Sequence, residues 1–151
     1  MPIRLAQLTD GPAISRLLTQ LEYPGTEAFM ASRLAAMLAD PAGILLVWVE
    51  DATPAETPSP EPAILGLLSL HFIPQIALEG DFARISYFAV DDSARSLGIG
   101  RLLEEEATRL ALEKSCDRLE VHCSTHRTRA HAFYARQGYI ESPKYLIKRL
   151  K

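Results

Sequence analysis

Phe88-Ala89-Val90-Asp91-Asp92-Ser93-Ala94-Arg95-Ser96-Leu97-Gly98-Ile99-Gly100-Arg101-Leu102-Leu103 runs from a β-rich segment through a small polar turn into a Gly-x-Gly that opens an amphipathic helix. Glycine at both positions leaves no side chain where an anion must approach the backbone. The first-turn amides of the helix have no intrahelical acceptor, and the helix dipole adds partial positive charge at the same end. Together these suit a phosphate or pyrophosphate. The P-loop pattern is excluded, because no Gly-Lys-Ser/Thr follows. The dinucleotide fingerprint is excluded as well, because its third glycine position is Leu103. Taken alone, a Gly-x-Gly before a helix is equally well a tight turn, so its surroundings must decide.

Downstream, Ile99, Leu102, Leu103, Ala107, Leu110 and Ala111 recur on one face of a helix over residues 98–114. Leu119, Val121 and Cys123 alternate with Glu120, His122 and Ser124, a strand pattern. Residues 129–136 predict a short helix ended by Gly138, and residues 145–150 a last strand. Upstream, residues 3–6 predict a short strand. Asp10 with Pro12 opens a first helix, and Thr26 opens a second that stops at Asp40-Pro41. Residues 44–49 are a continuous apolar run suited to a strand covered on both faces. Residues 63–72 and 85–90 are further strands. Between them, residues 51–62 hold four prolines and no large apolar side chain, which predicts an exposed loop lengthening a hairpin. The order is β-α-α-β-β-β-α-β-α-β.

At 151 residues the chain is expected to be one domain. Its 48% hydrophobic and 23% charged residues are those of a globular protein. A formal charge of −3 argues against nucleic acid as the main partner. Cys116 and Cys123 form no CxxC pair, so neither a disulfide framework nor a metal site is expected. With no signal-peptide core and no apolar run long enough for a bilayer, a cytoplasmic protein without membrane association is expected.

Arg95-Ser96-Leu97-Gly98-Ile99-Gly100 resembles the Arg/Gln-x-x-Gly-x-Gly/Ala signature of the GNAT acetyltransferases, in their strand-to-helix setting. A second match is Arg127-Thr128-Arg129-Ala130-His131-Ala132-Phe133-Tyr134-Ala135-Arg136-Gln137-Gly138-Tyr139, similar to the family's Asn-x-x-Ala-x-x-x-Tyr followed by Gly-Phe or Gly-Tyr, in the subset with Arg-x-x-Ala-His-x-Phe-Tyr. The resemblance implies an α/β (α+β) GNAT fold, a twisted, mostly antiparallel mixed sheet flanked by helices. It implies acetyl-CoA as cosubstrate and no metal. It further implies that Arg95, Ser96, Leu97, Gly98, Ile99, Gly100 and Arg101 wrap the pyrophosphate, and that the backbone of Phe88, Ala89 and Val90 pairs with the pantetheine arm. By the same resemblance Tyr134 meets the coenzyme sulfur and protonates the departing thiolate. A phenol, with a pKa of about 10, is close enough to a thiol for that work.

Arg127 stands where the family has asparagine, which points it toward a coenzyme phosphate instead. Arg84 stands where a fourth-strand glutamate often serves as base, leaving Glu79, Asp81, His71, His122, Ser124 and His126 as candidates, each equally readable as ordinary surface polarity. The N–H of Val90 is the candidate for the oxyanion. The expected reaction is N-acetylation of a primary amine on a small molecule or peptide, by direct transfer in a ternary complex. The rival reading is an acyl-CoA-binding sensor or interaction module with weak catalysis. The resemblance also admits a homodimer through a terminal strand.

Overall fold

The structure is a computed structural model that describes residues 2–50, 62–142 and 145–151. The proline-rich loop expected at 51–62 lies outside the described residues but for Pro62. Five strands form one sheet in the order β1-β2-β3-β4-β5. They are β1 (Ile3–Leu5), β2 (Gly43–Val49), β3 (Ile64–Ile73), β4 (Phe82–Val90) and β5 (Arg118–Val121). The first four pair antiparallel, and β5 joins β4 parallel. The helices are α1 (Gly11–Gln20), α2 (Met30–Ala39), α3 (Ile99–Glu113) and α4 (Thr128–Arg136). None of them is long and apolar enough to cross a membrane.

Alternation along β3 explains the layering. Leu68, Leu70 and Phe72 join Ile85, Ile99, Leu103, Ala107 and Ala111 in the core under α3. Leu67, Leu45, Val47 and Ala89 face Ile14, Leu17 and Leu34 of α1 and α2. On α3 the buried apolar residues Ile99, Leu103, Ala107 and Ala111 fall four apart, and the small alanines bring its C-terminal half close to the sheet. Gly66 on β3 lets the helix approach: a Cβ there would lie 2.8 Å from Leu103 Cδ1 and 3.1 Å from Ile99 Cγ2.

Three local expectations are corrected. Asp10 sits before α1 but caps nothing in it. Its carboxylate accepts both terminal nitrogens of Arg4, at 2.8 and 3.0 Å, and the Gln7 amide at 2.7 Å. Thr26 heads a single 3-10 turn, its hydroxyl bonded to Ser15 Oγ, and α2 starts only at Met30. Residues 145–150 form no strand, and Leu146 and Leu150 are exposed. The apolar run Tyr145-Leu146-Ile147 favours extended backbone, but a strand exists only where a neighbour supplies the ladder.

Two irregularities position the site. The β3–β4 register runs Ser69↔Tyr87 and then Leu70↔Ile85, so Ser86 is the extra residue of a β-bulge. The β4–β5 ladder stops at Ile85↔Val121, and β4 continues to Val90 paired with β3 alone. The two strands therefore fork directly after Ile85.

Candidate active site

The fork opens a cleft of about 720 Å³ between β4, the start of α3 and the start of α4. Asp91 N–H donates to Leu65 O on β3 at 2.8 Å. Successive amides of a strand point to opposite edges, so the N–H groups of Val90 and Phe88 face the unpaired edge. Phe88, Ala89 and Val90 line the cleft. An extended ligand laid along them would find the hydrogen-bonding groups a neighbouring strand would otherwise use.

At the far end of β4 the chain turns into α3. Asp91, 6% exposed, holds that turn: it accepts from Ser93 N at 2.9 Å, Ser93 Oγ at 2.6 Å, Gln20 Nε2 at 3.1 Å and Arg16 Nη1. Gln20 Oε1 accepts Asp92 N–H at 2.8 Å. The hydrogen bond from Ser93, with those from Arg16 and Gln20, outweighs burial and holds the Asp91 carboxyl far below the usual carboxylate range. The turn is thereby fastened to the C-terminal half of α1. Ser96 (φ 70°) and Gly98 (φ 82°) are left-handed, and this alternation turns backbone amides toward one concave side. Gly98 is also the N-cap of α3 and offers no side chain to its first amides.

Of the residues expected at the loop, Arg95, Ser96, Gly98, Ile99, Gly100 and Arg101 line the cleft. Leu97 does not, and its side chain is 71% exposed. A Cβ on Gly100 would sit 3.4 Å from the Phe133 ring and 3.7 Å from Val90 Cγ2, at the cleft wall. Arg127, Arg129 and Arg136 join Arg95 and Arg101, so five guanidinium groups border the cleft against one carboxylate, Glu22, among the described residues.

Tyr134 projects from α4 onto the wall, its ring 6.3 Å from Phe88, 5.3 Å from Phe133 and 5.3 Å from Tyr139. Burial, then the neighbouring Cys123 and Glu104, push its phenol well above the usual value. The Tyr134 hydroxyl is therefore held protonated more firmly than the unperturbed phenol expected from the sequence. Tyr139 is raised in the same direction, by burial and by its hydrogen bond to the buried Glu104 at 3.1 Å.

Arg127 lines the cleft, but its guanidinium is engaged elsewhere than expected. Nη2 donates to Leu21 O at 2.7 Å and to Glu22 Oε2 at 3.0 Å, and His126 Nε2 lies 3.3 Å from the same carboxylate oxygen. Glu22 ends α1 with φ 73°, a left-handed position glycine usually fills. Tyr23 N–H to Leu18 O and Glu22 N–H to Thr19 O complete that helix end. This clasp across the cleft mouth left no sequence signal, since glutamate is not a residue that marks such a conformation. His131 Nε2 lies 2.8 Å from Ser124 O and ties α4 to the loop before it.

The base candidates separate. Glu79 is exposed in the β3–β4 hairpin, where Asp81 O accepts Asp117 N–H, and His122 packs on the Tyr145 ring 4.5 Å away. Of these candidates only His126 lines the main cleft. Arg84 gives Nε and Nη2 to Glu120 Oε1 at 2.8 and 2.5 Å, a β4–β5 tie rather than a base. No group of three or more His, Cys, Asp or Glu side chains that could hold a metal is found among the described residues.

The sequence model of the acetyltransferase (GNAT) family matches residues 12–139. The chain belongs to that family. Among curated proteins, none matches the sequence. A putative acetyltransferase from Agrobacterium tumefaciens superposes with a TM-score of 0.80 at 23% identity, covering 99% of each chain. A GNAT family acetyltransferase of Staphylococcus aureus gives 0.78 at 19% identity, over 99% of this chain and all of that one. An aminoglycoside acetyltransferase from a soil metagenomic sample gives 0.72 at 21% identity, over 99% and 95%. At these identities the likeness is one of fold, and it extends over nearly the whole chain, including the half before the motifs.

Proposed function

We propose that this GNAT protein transfers an acetyl group from acetyl-CoA to a primary amine of a small molecule or peptide, directly, in a ternary complex. The observation that carries the reading is one continuous track. It runs from the glycine loop at the start of α3, bordered by arginines, along the unpaired edge of β4 to Tyr134. Each part fits a different part of the coenzyme. The amides of residues 95–101 and the α3 dipole suit the pyrophosphate. Phe88 to Val90 suit the amide-bearing pantetheine arm. The arm, starting at the loop, passes Val90 first and reaches Phe88 nearer the fork. Phe88 N–H is accordingly the better-placed donor to the thioester carbonyl, with Val90 N–H pairing with the arm.

Tyr134, held protonated, would donate a hydrogen bond to the sulfur as the C–S bond breaks. Arg127 would contribute by closing the mouth over the arm through Leu21 and Glu22. The acceptor would approach from the α1–α2 side.

Thermal-shift and calorimetric titrations with acetyl-CoA, CoA and ATP test the reading, because a ligand that binds only the folded state raises its melting temperature. Selective binding of acetyl-CoA is expected in the micromolar range, about −8 kcal/mol. Gly100→Glu places a carboxylate where the pyrophosphate would lie and should abolish binding. A well-folded wild type that binds none of the three ligands would remove the enzymatic reading and its sensor alternative together.

A further inference from the structure

Ser69 is a hydroxyl in a strand of leucines, 1% exposed among Leu67, Leu68 and Leu70. A buried hydroxyl is costly unless it is bonded. Its partners lie at the β4 bulge: Ser86 Oγ is 2.9 Å from Ser69 Oγ and 2.8 Å from His71 Nε2, and Ser69 Oγ is 3.3 Å from the same imidazole nitrogen. The bulge is what makes this arrangement. Without the extra residue, Ser86 and Tyr87 would point to opposite faces, whereas here both line the same cavity of about 340 Å³ on the α2 side. The rest of its wall includes Arg33, Met37 and Asp40 from α2 and its end, and His71. Ser86 is also the first β4 residue past the last β4–β5 pair. The hydrogen-bonded group therefore stands at the apex of the fork, on the other face from the α3 core.

We propose that Ser86 and His71, pinned by the buried Ser69, relay the proton away from a cationic primary amine seated in the Asp40–Tyr87 cavity. The inference rests on the acetyl-transfer reading and deepens it by naming the proton acceptor and the acceptor class. Asp40 supplies the counter-charge at the wall. Tyr87, met edge-on by Tyr23 at 5.4 Å, adds an aromatic surface suited to a cation and a short apolar stem. Such an amine is protonated at neutral pH and cannot attack until it loses a proton. One proton passes from the ammonium through the Ser86 hydroxyl to His71 Nε2. The freed nitrogen forms the C–N bond, the C–S bond breaks with its electron pair on sulfur, and the second nitrogen proton ends on the thiol. His71 then returns its proton to solvent.

The charged groups around His71 are of both signs. From α2 come Arg33 and Asp40, of opposite sign. From β4 come Tyr87 and Arg84, the cross-strand partner of His71. The charge of Arg84 is offset by Glu120 on β5. Gly43, opposite His71 on β2, leaves the other side of the ring open: a Cβ there would be 3.6 Å from His71 Nδ1 and 3.9 Å from Asp40 Oδ2.

The test compares butylamine, a cation at neutral pH, with its near-isostere O-propylhydroxylamine, which is neutral there. Thiol release from acetyl-CoA is followed from pH 6 to 10 for wild type, His71→Asn, Ser86→Ala and Ser86→Thr. With butylamine at pH 7, His71→Asn should lower kcat about 100-fold with KM for acetyl-CoA unchanged. The deficit should shrink as pH rises, and O-propylhydroxylamine should be turned over almost normally. Ser86→Ala should follow the same pattern and Ser86→Thr should recover. Equal losses with both probes at every pH would mean a structural role and overturn the relay. So would unchanged kcat, or acetyl-CoA binding by calorimetry without amine-dependent thiol release. Absence of acetyl-CoA binding would instead fail the acetyl-transfer reading on which the relay stands.

Discussion

Tyr134 and Glu22 show how much a single side chain's setting changes its chemistry. The Tyr134 hydroxyl has no hydrogen-bond partner among the described residues, although its ring is packed among Phe88, Phe133 and Tyr139. A donor left free in a packed aromatic wall is available to a ligand. Because burial raises its pKa, it keeps its proton through the alkaline range, and its contribution is that of a hydrogen bond to a developing thiolate. Such bonds to charged groups are worth about 1.5–3 kcal/mol, or roughly 10- to 100-fold in rate. Tyr134→Phe should therefore lower kcat by that factor, leave KM for acetyl-CoA nearly unchanged, and cost no melting temperature. Steady-state kinetics at saturating coenzyme and a thermal melt read both parts. An unchanged kcat would remove the hydroxyl from the reaction. Glu22 makes the opposite trade, accepting a left-handed backbone that disfavours any side chain while placing its carboxylate between Arg127 and His126.

At the scale of elements, the turn between β4 and α3 is positioned by α1 as well as by its own residues. Asp91→Asn keeps the shape but removes the charge that Arg16 and Gln20 hold. It should destabilise the fold by about 2 kcal/mol and weaken acetyl-CoA binding through a looser loop. The Asp91 carboxyl is depressed in the folded state, so its contribution is complete above the unfolded value, about 4, and is lost as pH falls below it. Urea unfolding should thus separate wild type from variant at pH 7, with the gap narrowing progressively as pH falls from about 4 toward the depressed folded value. A gap that does not narrow at all on acidification would make the effect one of packing. The same elements show what residue order reveals. The α3 helix and its loop were legible because a buried stripe four apart and a left-handed glycine leave marks in residue type. The Ser86 bulge and the fork after Ile85 were not, because they depend on which strand pairs with which and where pairing stops. Residues 145–150 open on the β-favouring run Tyr145-Leu146-Ile147 but have no ladder to join, and the Arg127–Glu22 clasp joins residues 105 apart.

Over the whole molecule, charge is distributed against its own average. The chain carries a formal −3, yet Arg95, Arg101, Arg127, Arg129 and Arg136 gather at one cleft. Three of them are partly offset: Arg95 by Asp92 at 2.7 Å and Arg101 by Glu105 at 2.6 Å, both in exposed pairs that salt screens readily, and Arg127 by Glu22 at 3.0 Å. A cleft lined by one sign of charge concentrates an oppositely charged ligand, and the net negative surface around it would do the reverse elsewhere. The field at the cleft should therefore fade with ionic strength, as the screening length falls from about 30 Å at 0.01 M to about 8 Å at 0.15 M. Over that range the dissociation constant for acetyl-CoA should rise roughly three- to tenfold. S-acetylpantetheine, which lacks the phosphates, should bind with little dependence on salt. Arg95→Gln combined with Arg101→Gln should flatten the slope for acetyl-CoA and leave that of the fragment alone. Titration calorimetry at four salt concentrations measures all three slopes. Equal slopes for coenzyme and fragment would mean that the arginine border does not meet phosphate, and that the coenzyme is held along β4 alone.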